Sequence, residues 1–228
     1  MTKIPAWSYS SLKTYETCPR KYQAEKVTKE VVFKDNDATT YGKEVHLAAE
    51  EFIRSGKPID PRFGYMLPIL DRLNNIPGTK FCEIKFGLKK EDGKLVTCDF
   101  FDRDVWFRGV ADLVILNGNR GWVIDYKTSK SAKYADTRQL ALMAACMFAK
   151  YPQLEKVKAA LLFVVAKDNA LVEAKYTRED MYNIFADVDN LLTQWQSSYE
   201  NDVWNEKPNG LCSRWCGVVS CPHNGANN

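Results

Sequence analysis

Apolar side chains recur at helical spacing towards both ends of this chain and at strand spacing in its middle. Ser8-Tyr9-Ser10-Ser11 offers capping hydroxyls ahead of Leu12, Tyr15 and Tyr22, and Cys18-Pro19 interrupts that spacing, so a first helix is expected to stop there and restart. Val45, Ala48, Ala49 and Phe52 stand at i, i+3, i+4 and i+7 of a helix expected over residues 41–55, which Gly56 terminates. A further helix is expected over residues 63–74, after Asp60-Pro61. Residues 81–88, 105–116 and 122–127 are rich in β-branched and aromatic side chains and read as strands, with Asn117-Gly118-Asn119 as the turn between the last two. Beyond them the pattern predicts a helix over 135–150, a nearly all-apolar strand over 159–166, a turn at Lys167-Asp168-Asn169 and a strand over 171–176. Thr177 with Asp180 resembles a capping box opening a helix that carries Met181, Ile184, Phe185, Val188, Leu191, Leu192 and Trp195. The apolar 159–166 strand implies a sheet covered on both faces, hence an α/β fold. After Trp204 the periodicity stops, and no internal repeat occurs.

Composition narrows the class. At 228 residues with 45% apolar side chains, the chain can build a core without disulfides, so its seven cysteines call for another explanation. The first residues show no apolar stretch behind a basic one, which leads us to expect a reduced, cytoplasmic protein of a bacterial cell or phage-infected host. The longest apolar run, residues 140–149, is too short to span a bilayer. A net charge of +3 neither requires nor forbids a polyanionic partner, because a basic cleft can sit in a nearly neutral chain.

The chemistry centres on Trp122-Val-Ile-Asp125-Tyr-Lys127. Alternation along a strand puts Asp125 and Lys127 on one face. The acid-x-Lys pattern recurs at Glu83/Lys85, Asp92/Lys94 and Glu173/Lys175, where a solvated strand face is the ordinary reading; the Asp125 pair ends a hydrophobic strand, where two charges need compensation. Asp112 is the only charge in the apolar run Gly109-Val-Ala-Asp-Leu-Val-Ile-Leu116, and the turn brings it beside the Asp125 strand. Two carboxylates in one cleft repel, and a hard divalent cation relieves that repulsion. His46 borders an apolar helix face one turn after Gly42, whose missing side chain leaves room for a ligand or another backbone.

Gly42-x-x-x-His46, Gly109-Val-Ala-Asp112, Asp125-Tyr-Lys127 and Gln139-Leu140, in this order, resemble the motif series of the RecB-type nucleases of the PD-(D/E)XK superfamily, over residues 8–224. The resemblance implies a restriction-endonuclease-like mixed central sheet flanked by helices. It implies that His46, Asp112, Asp125 and the main-chain carbonyl of Tyr126 bind Mg²⁺ or Mn²⁺. Lys127 would position or deprotonate the attacking water, with Gln139 orienting the site and Glu83 a less certain acidic neighbour. The family often carries Tyr four residues after the Gln; Met143 stands there, and Tyr134 is the candidate substitute.

Cys212-x₃-Cys216-x₄-Cys221 places three thiols within ten residues of a tail without regular structure, a metal-like spacing open to zinc, with His223 as a further ligand, or to iron-sulphur. With Cys18 at the other end of the chain, the set resembles the iron-sulphur subgroup of the family, which includes CRISPR-associated spacer-acquisition nucleases and phage exonucleases. That resemblance implies a 4Fe-4S cluster on Cys18, Cys212, Cys216 and Cys221, although the subgroup's more frequent spacing is two then five intervening residues. Zinc remains the alternative. Cys82, Cys98 and Cys146 are expected as small buried hydrophobes.

These readings together lead us to expect one nuclease domain over residues 1–228, with 1–40 and 200–228 forming a cluster-bearing lobe from both termini. Arg20, Lys21, Lys130, Lys133 and Arg138 are the expected phosphate contacts, and Tyr15, Tyr22 and Tyr134 the expected base-stacking groups. The expected activity is metal-dependent DNA hydrolysis, exonucleolytic on ends or single strands, in recombination, repair or phage DNA processing. A recombination or single-strand-annealing protein is the expected partner class, and nothing in the sequence sets the oligomeric state. The alternatives are a CRISPR-adaptation nuclease, a non-catalytic DNA-end-binding module and a zinc-stabilised adaptor.

Overall fold

Side chains mark where each helix begins. Ser8 Oγ accepts the Ser11 N–H while the Ser11 hydroxyl accepts the Ser8 N–H, and Asn36 with Thr39 repeats this reciprocal cap. In the computed structural model, which describes residues 4–32, 35–166 and 170–227, the elements in chain order are α1 (Tyr9–Thr17), α2 (Pro19–Tyr22), α3 (Asp37–Ser55), α4 (Leu67–Asn74), β1 (Thr79–Glu91), β2 (Lys94–Cys98), β3 (Phe107–Asn117), β4 (Arg120–Lys127), α5 (Arg138–Lys150), β5 (Lys156–Phe163), β6 (Leu171–Thr177) and α6 (Ala186–Asn201). Pro19 stops α1 and opens α2, which runs on into a π turn at Gln23–Val27, and a 3₁₀ turn at Pro61–Met66 precedes α4. Gly56, at φ +69°, closes α3 in the left-handed conformation that glycine adopts without strain.

Two units make up the chain, one of residues 35–185 and one formed by both chain ends. In the first, six strands form one mixed sheet in the order β2-β1-β3-β4-β5-β6, with β4 and β5 parallel and every other pair antiparallel. The chain is therefore a mixed α/β fold with helices on both faces of its sheet. On one face α3 and α4 pack Val45, Ala49, Ile53, Ile69 and Leu70 against Leu113, Ile115, Ile124, Tyr126, Ala160 and Leu162. On the other lies α5, whose residues from Leu142 to Phe148 are all buried. A Cβ on Gly121 would come within 2.9 Å of Met147 Cε and 3.0 Å of Leu154 Cδ1, so this glycine lets β4 pass close under α5. β5 lies between β4 and β6 and is buried along nearly its whole length, as its apolar sequence demands.

The structure corrects several boundaries. The sequence reading lacks β2, a short edge strand reached through a turn in which Asp92 and Gly93 both take positive φ (49° and 73°). The helix expected to run from Thr177 through Trp195 is divided into a 3₁₀ turn, Arg178–Tyr182, and α6. Arg178 explains the break: its guanidinium donates to the carbonyls of Phe148, Tyr151, Pro152 and Leu154, pinning the turn to the end of α5. The turn expected at Lys167-Asp168-Asn169 lies outside the described residues. No helix among the described residues is long and apolar enough to cross a membrane.

In the unit formed by the chain ends, Tyr15, Tyr22, Trp195, Tyr199 and Trp204 form an aromatic core, with Tyr22 stacked on Trp204 at 5.8 Å and the other ring pairs edge to face. The expectation that Tyr15 and Tyr22 stack on bases is overturned by their burial, at 5% and 2% exposed. Their hydroxyls are satisfied internally, Tyr15 by Ser198 and the Gln194 carbonyl and Tyr22 by Tyr199. A smaller core joins Ala24, Val218 and Cys221 to Val31 and Cys216.

Candidate active site

The β3–β4 ladder ends at Leu113↔Ile124. Past that pair β3 continues along β1 and β4 continues along β5 as far as Lys127, so the two strands part where Asp112 and Asp125 stand. The fork leaves the Tyr126 N–H free to donate to Asp112 Oδ2. Asp112 Oδ1 lies 3.1 Å from His46 Nδ1 on α3. Glu83 on β1 comes opposite Asp112, between the register pairs Cys82↔Leu113 and Ile84↔Ala111, and its φ is +55°. A glutamate in that conformation is strained, and here the strain aims its carboxylate into the site. Ligand atoms of His46, Glu83 and Asp112 all lie within 4.8 Å of one another, a set suited to one metal ion. They open onto a cleft of about 450 Å³, also lined by Gly42, Lys43, Leu47 and Glu50. A Cβ at Gly42 would meet only Thr128 Oγ1, at 3.5 Å, so the glycine keeps the cleft open and no clash requires it.

Asp125 is not a member of that 4.8 Å set and is oriented by α5. Gln139 Nε2 donates to its Oδ1 at 2.9 Å, and Lys127 Nζ lies 2.6 Å from Oδ2. Oδ2 is buried, and the Lys127 ammonium is its partner among the described residues. This is a carboxylate oxygen with capacity left for a cation. The electrostatics connect the two halves. Burial, and then the Asp112 charge, push Asp125 above the usual carboxylate range against the opposing pull of Lys127 and His46. Burial and the neighbouring charges of Asp112 and Glu50 likewise raise Glu83. For His46, burial opposes the proton, but the Asp112 hydrogen bond and the charges of Asp112, Asp125 and Glu83 outweigh it and raise the pKa above its ordinary value. Three groups of the site, Asp125, Glu83 and His46, thus hold protons more tightly than usual, as expected where acidic groups crowd together out of water.

Sequence reasoning ranked Glu83 below the other ligands and passed over Glu50. The one sequence signal for Glu50 is its place one turn after His46 on the same helix, where it pairs with Arg54 at 2.7 Å. Tyr126 keeps its ring in the core, edge-on to His46 at 5.9 Å. Met143 is buried, while Tyr134 is 85% exposed on the segment between β4 and α5, with Lys133 Nζ 5.4 Å from its ring. Of the expected phosphate contacts, three are engaged with carboxylates: Arg20 with Glu30 at 2.7 Å, Lys21 with Glu25 at 3.7 Å and Arg138 with Asp136 at 2.6 Å. Among the described residues, neither Lys130 nor Lys133 forms an ion pair.

In the unit of the chain ends, Cys18, Cys212, Cys216 and Cys221 line one concavity together with His223, and all four are free thiols. Main-chain N–H groups aim at two of the sulfurs, Lys207 N at Cys18 Sγ and Asn209 N at Cys212 Sγ, both at 3.4 Å. His223 Nε2 lies 3.3 Å from Glu206. Cys146 is fully buried under the sheet, whereas Cys82 and Cys98 are only half-buried.

Solved structures with this fold include SSO0001, at 18% identity and a TM-score of 0.52 over 98% of this chain and 89% of that one. Another is the "Putative exonuclease" of Eubacterium rectale, at 12% identity and a TM-score of 0.56 over 96% of this chain and 88% of that one. At these identities the likeness establishes the fold. No curated protein sequence matches the chain. The model of the PD-(D/E)XK nuclease superfamily matches residues 6–222, which include the strand fork, its carboxylates and Lys127. With that match over nearly its whole length, the chain belongs to the PD-(D/E)XK nuclease superfamily.

Proposed function

We propose that this protein is a Mg²⁺- or Mn²⁺-dependent deoxyribonuclease acting exonucleolytically on DNA ends or single strands, with a 4Fe-4S cluster on Cys18, Cys212, Cys216 and Cys221. The strand fork carries the reading, because it sets the His46, Glu83 and Asp112 group beside an Asp125–Lys127 pair braced by Gln139. Clustered oxygen donors with an imidazole beside them, and the raised carboxylates of Glu83 and Asp125, fit a divalent cation, with His46, Glu83, Asp112 and Asp125 as its holders. Bound there, the ion supplies Lewis-acid stabilisation of the charge that develops on phosphate. Lys127, a third exposed and tethered by Asp125, can meet both solvent and phosphate: it orients the attacking water, accepts its proton or stabilises charge on the phosphoryl oxygens. Gln139 acts through Asp125, fixing one oxygen so that the other faces the site.

Four thiols lining one concavity, two of them accepting main-chain N–H groups, suit thiolates that share a cluster. A single zinc ion, at about 2.3 Å from each sulfur, would draw its thiolates to roughly 4 Å apart. Among the described residues no three of these sulfurs lie within 4.8 Å of one another, so a zinc ion would have to draw them closer.

Digestion of end-labelled single- and double-stranded DNA with Mg²⁺ or Mn²⁺ tests the catalytic reading. Lys127→Ala should lower the rate roughly 10²- to 10⁴-fold while leaving the fold intact. Equal activity in both proteins, or no activity of the wild type on any DNA substrate, would sink it. Iron and zinc content of the purified protein decides the cluster.

A further inference from the structure

An exposed aromatic and cationic platform continues the sheet face that carries the carboxylates. Asp112, Val110 and Arg108 alternate onto one face of β3, and Lys85, the register partner of Val110, lies two residues from Glu83 on β1. Val110 is 43% exposed, so this part of the face has no covering element. At its far end the turn between β2 and β3 presents Phe100 and Phe101, whose rings meet edge to face at 5.1 Å, and Phe101 is 72% exposed. Two cations converge on these rings. Lys85 Nζ lies 5.6 Å from both centroids, and Arg108 Cζ lies 5.4 Å from Phe100 and 6.0 Å from Phe101. Arg108 Nε also donates to the Phe100 carbonyl at 2.8 Å, which anchors the turn. Neither cation has a carboxylate in ion-pair reach among the described residues. The turn's own acids are committed locally: Asp99 caps the Phe101 N–H, Asp102 caps the Asp104 N–H and Asp104 pairs with Arg103.

We propose that Phe101, flanked by Lys85 and Arg108, is a stacking site for an unpaired base of the DNA strand that enters the active site. The proposal rests on the DNA nuclease reading and deepens it by naming the substrate class. A ring 72% exposed, with Lys85 and Arg108 set over it, matches a base stacked on the part of the ring that stays open and phosphates held by the two cations. A paired base cannot use such a site, because its faces are covered by its neighbours in the duplex. Arg108 lies four residues along β3 from Asp112, about 13 Å at strand rise, so the platform stands on the order of two to four nucleotides from the cut. The enzyme should therefore require a few unpaired nucleotides next to the scissile bond.

Fluorescence anisotropy of the full-length protein with a labelled single strand and a labelled blunt duplex, without divalent ions, tests this. Phe101→Ala is expected to weaken single-strand binding roughly 5- to 100-fold and duplex binding less than about 2-fold, with Phe101→Trp retaining wild-type binding. Lys85→Gln, which disturbs no buried residue, should lower the salt slope of single-strand binding by about 0.7. Single-strand binding by Phe101→Ala equal to wild type, equal losses on both DNAs, or an unchanged salt slope would overturn the platform; a surface that docks a protein instead gives the first of these results. Cleavage separates the two levels. A wild type that digests DNA at the same rate as Phe101→Ala removes the platform alone, whereas a wild type that digests no DNA removes the nuclease reading itself.

Discussion

At Glu83 the backbone departs from what the side chain prefers. A glutamate at φ +55° costs on the order of 1–3 kcal/mol, and the fold holds it there across from Asp112. Removing only its charge should therefore expose its purpose: Glu83→Gln is expected to weaken Mn²⁺ binding roughly tenfold or more with little change in metal-free stability, measured by calorimetric titration and thermal melting. The protonation equilibria of the site give a second test at this scale. Asp125 and Glu83 hold protons to higher pH in the fold than in the unfolded chain, and so does His46. Groups raised in this way favour the folded state below their unfolded pKa, and that contribution is lost as pH climbs through the folded values, beginning near 4 for the carboxylates and near 6.5 for His46. A divalent ion needs all three deprotonated. The rise in melting temperature caused by Mn²⁺ should thus grow as pH climbs through and above about 6.5, where His46 gives up its proton, and a Mn²⁺ shift that is flat across this range would rule out His46 as a ligand.

Among the elements, β4 and α5 position the chemistry together. β4 carries Asp125 and Lys127, α5 carries Gln139, and Gly121 sets how closely they approach. Gly121→Val would place its branched carbons where Met147 and Leu154 already lie, and such overpacking typically costs about 1–3 kcal/mol. Chemical denaturation should read that loss, and the shift of α5 should lower activity beyond what the stability change explains. The elements themselves were largely legible in the sequence. Caps at Ser8 and Thr177, Pro19, Gly56 and the turn at Gly118 are local signals, and alternation is a property of neighbours along the chain. β2 was not legible, because an edge strand with a mixed polar pattern leaves little periodic trace.

For the molecule as a whole, the two units predict separable stabilities. The sheet unit has a large core of its own, whereas the unit of the chain ends relies on one aromatic cluster, a small apolar group and the four cysteines. Cys216→Ala in the full-length protein should abolish bound iron and make residues 4–32 and 186–227 sensitive to protease while 35–185 stay protected. Uniform protection in the variant would mean that the thiols carry no structural metal. Gly225 belongs to the same construction, since a Cβ there would lie 2.2 Å from the Ser213 carbonyl oxygen between Cys212 and Cys216.

By itself the sequence determined the α/β class and the order of most elements, because periodicity, capping and turn signals act over a few neighbouring positions; it also offered His46, Asp112, Asp125 and Lys127 as candidates, with Gln139 added by the family resemblance. Only the tertiary structure decided how those residues combine. It forked β3 from β4, strained Glu83 into the group with His46 and Asp112, and left Asp125 to Gln139 and Lys127. It also reassigned residues that look alike in sequence: Tyr15 and Tyr22 became core, Arg20, Lys21 and Arg138 were drawn to nearby carboxylates, and Phe101 was left open to solvent. Burial depends on partners brought together by the fold, in some cases more than a hundred positions away in the chain, and no local pattern encodes it.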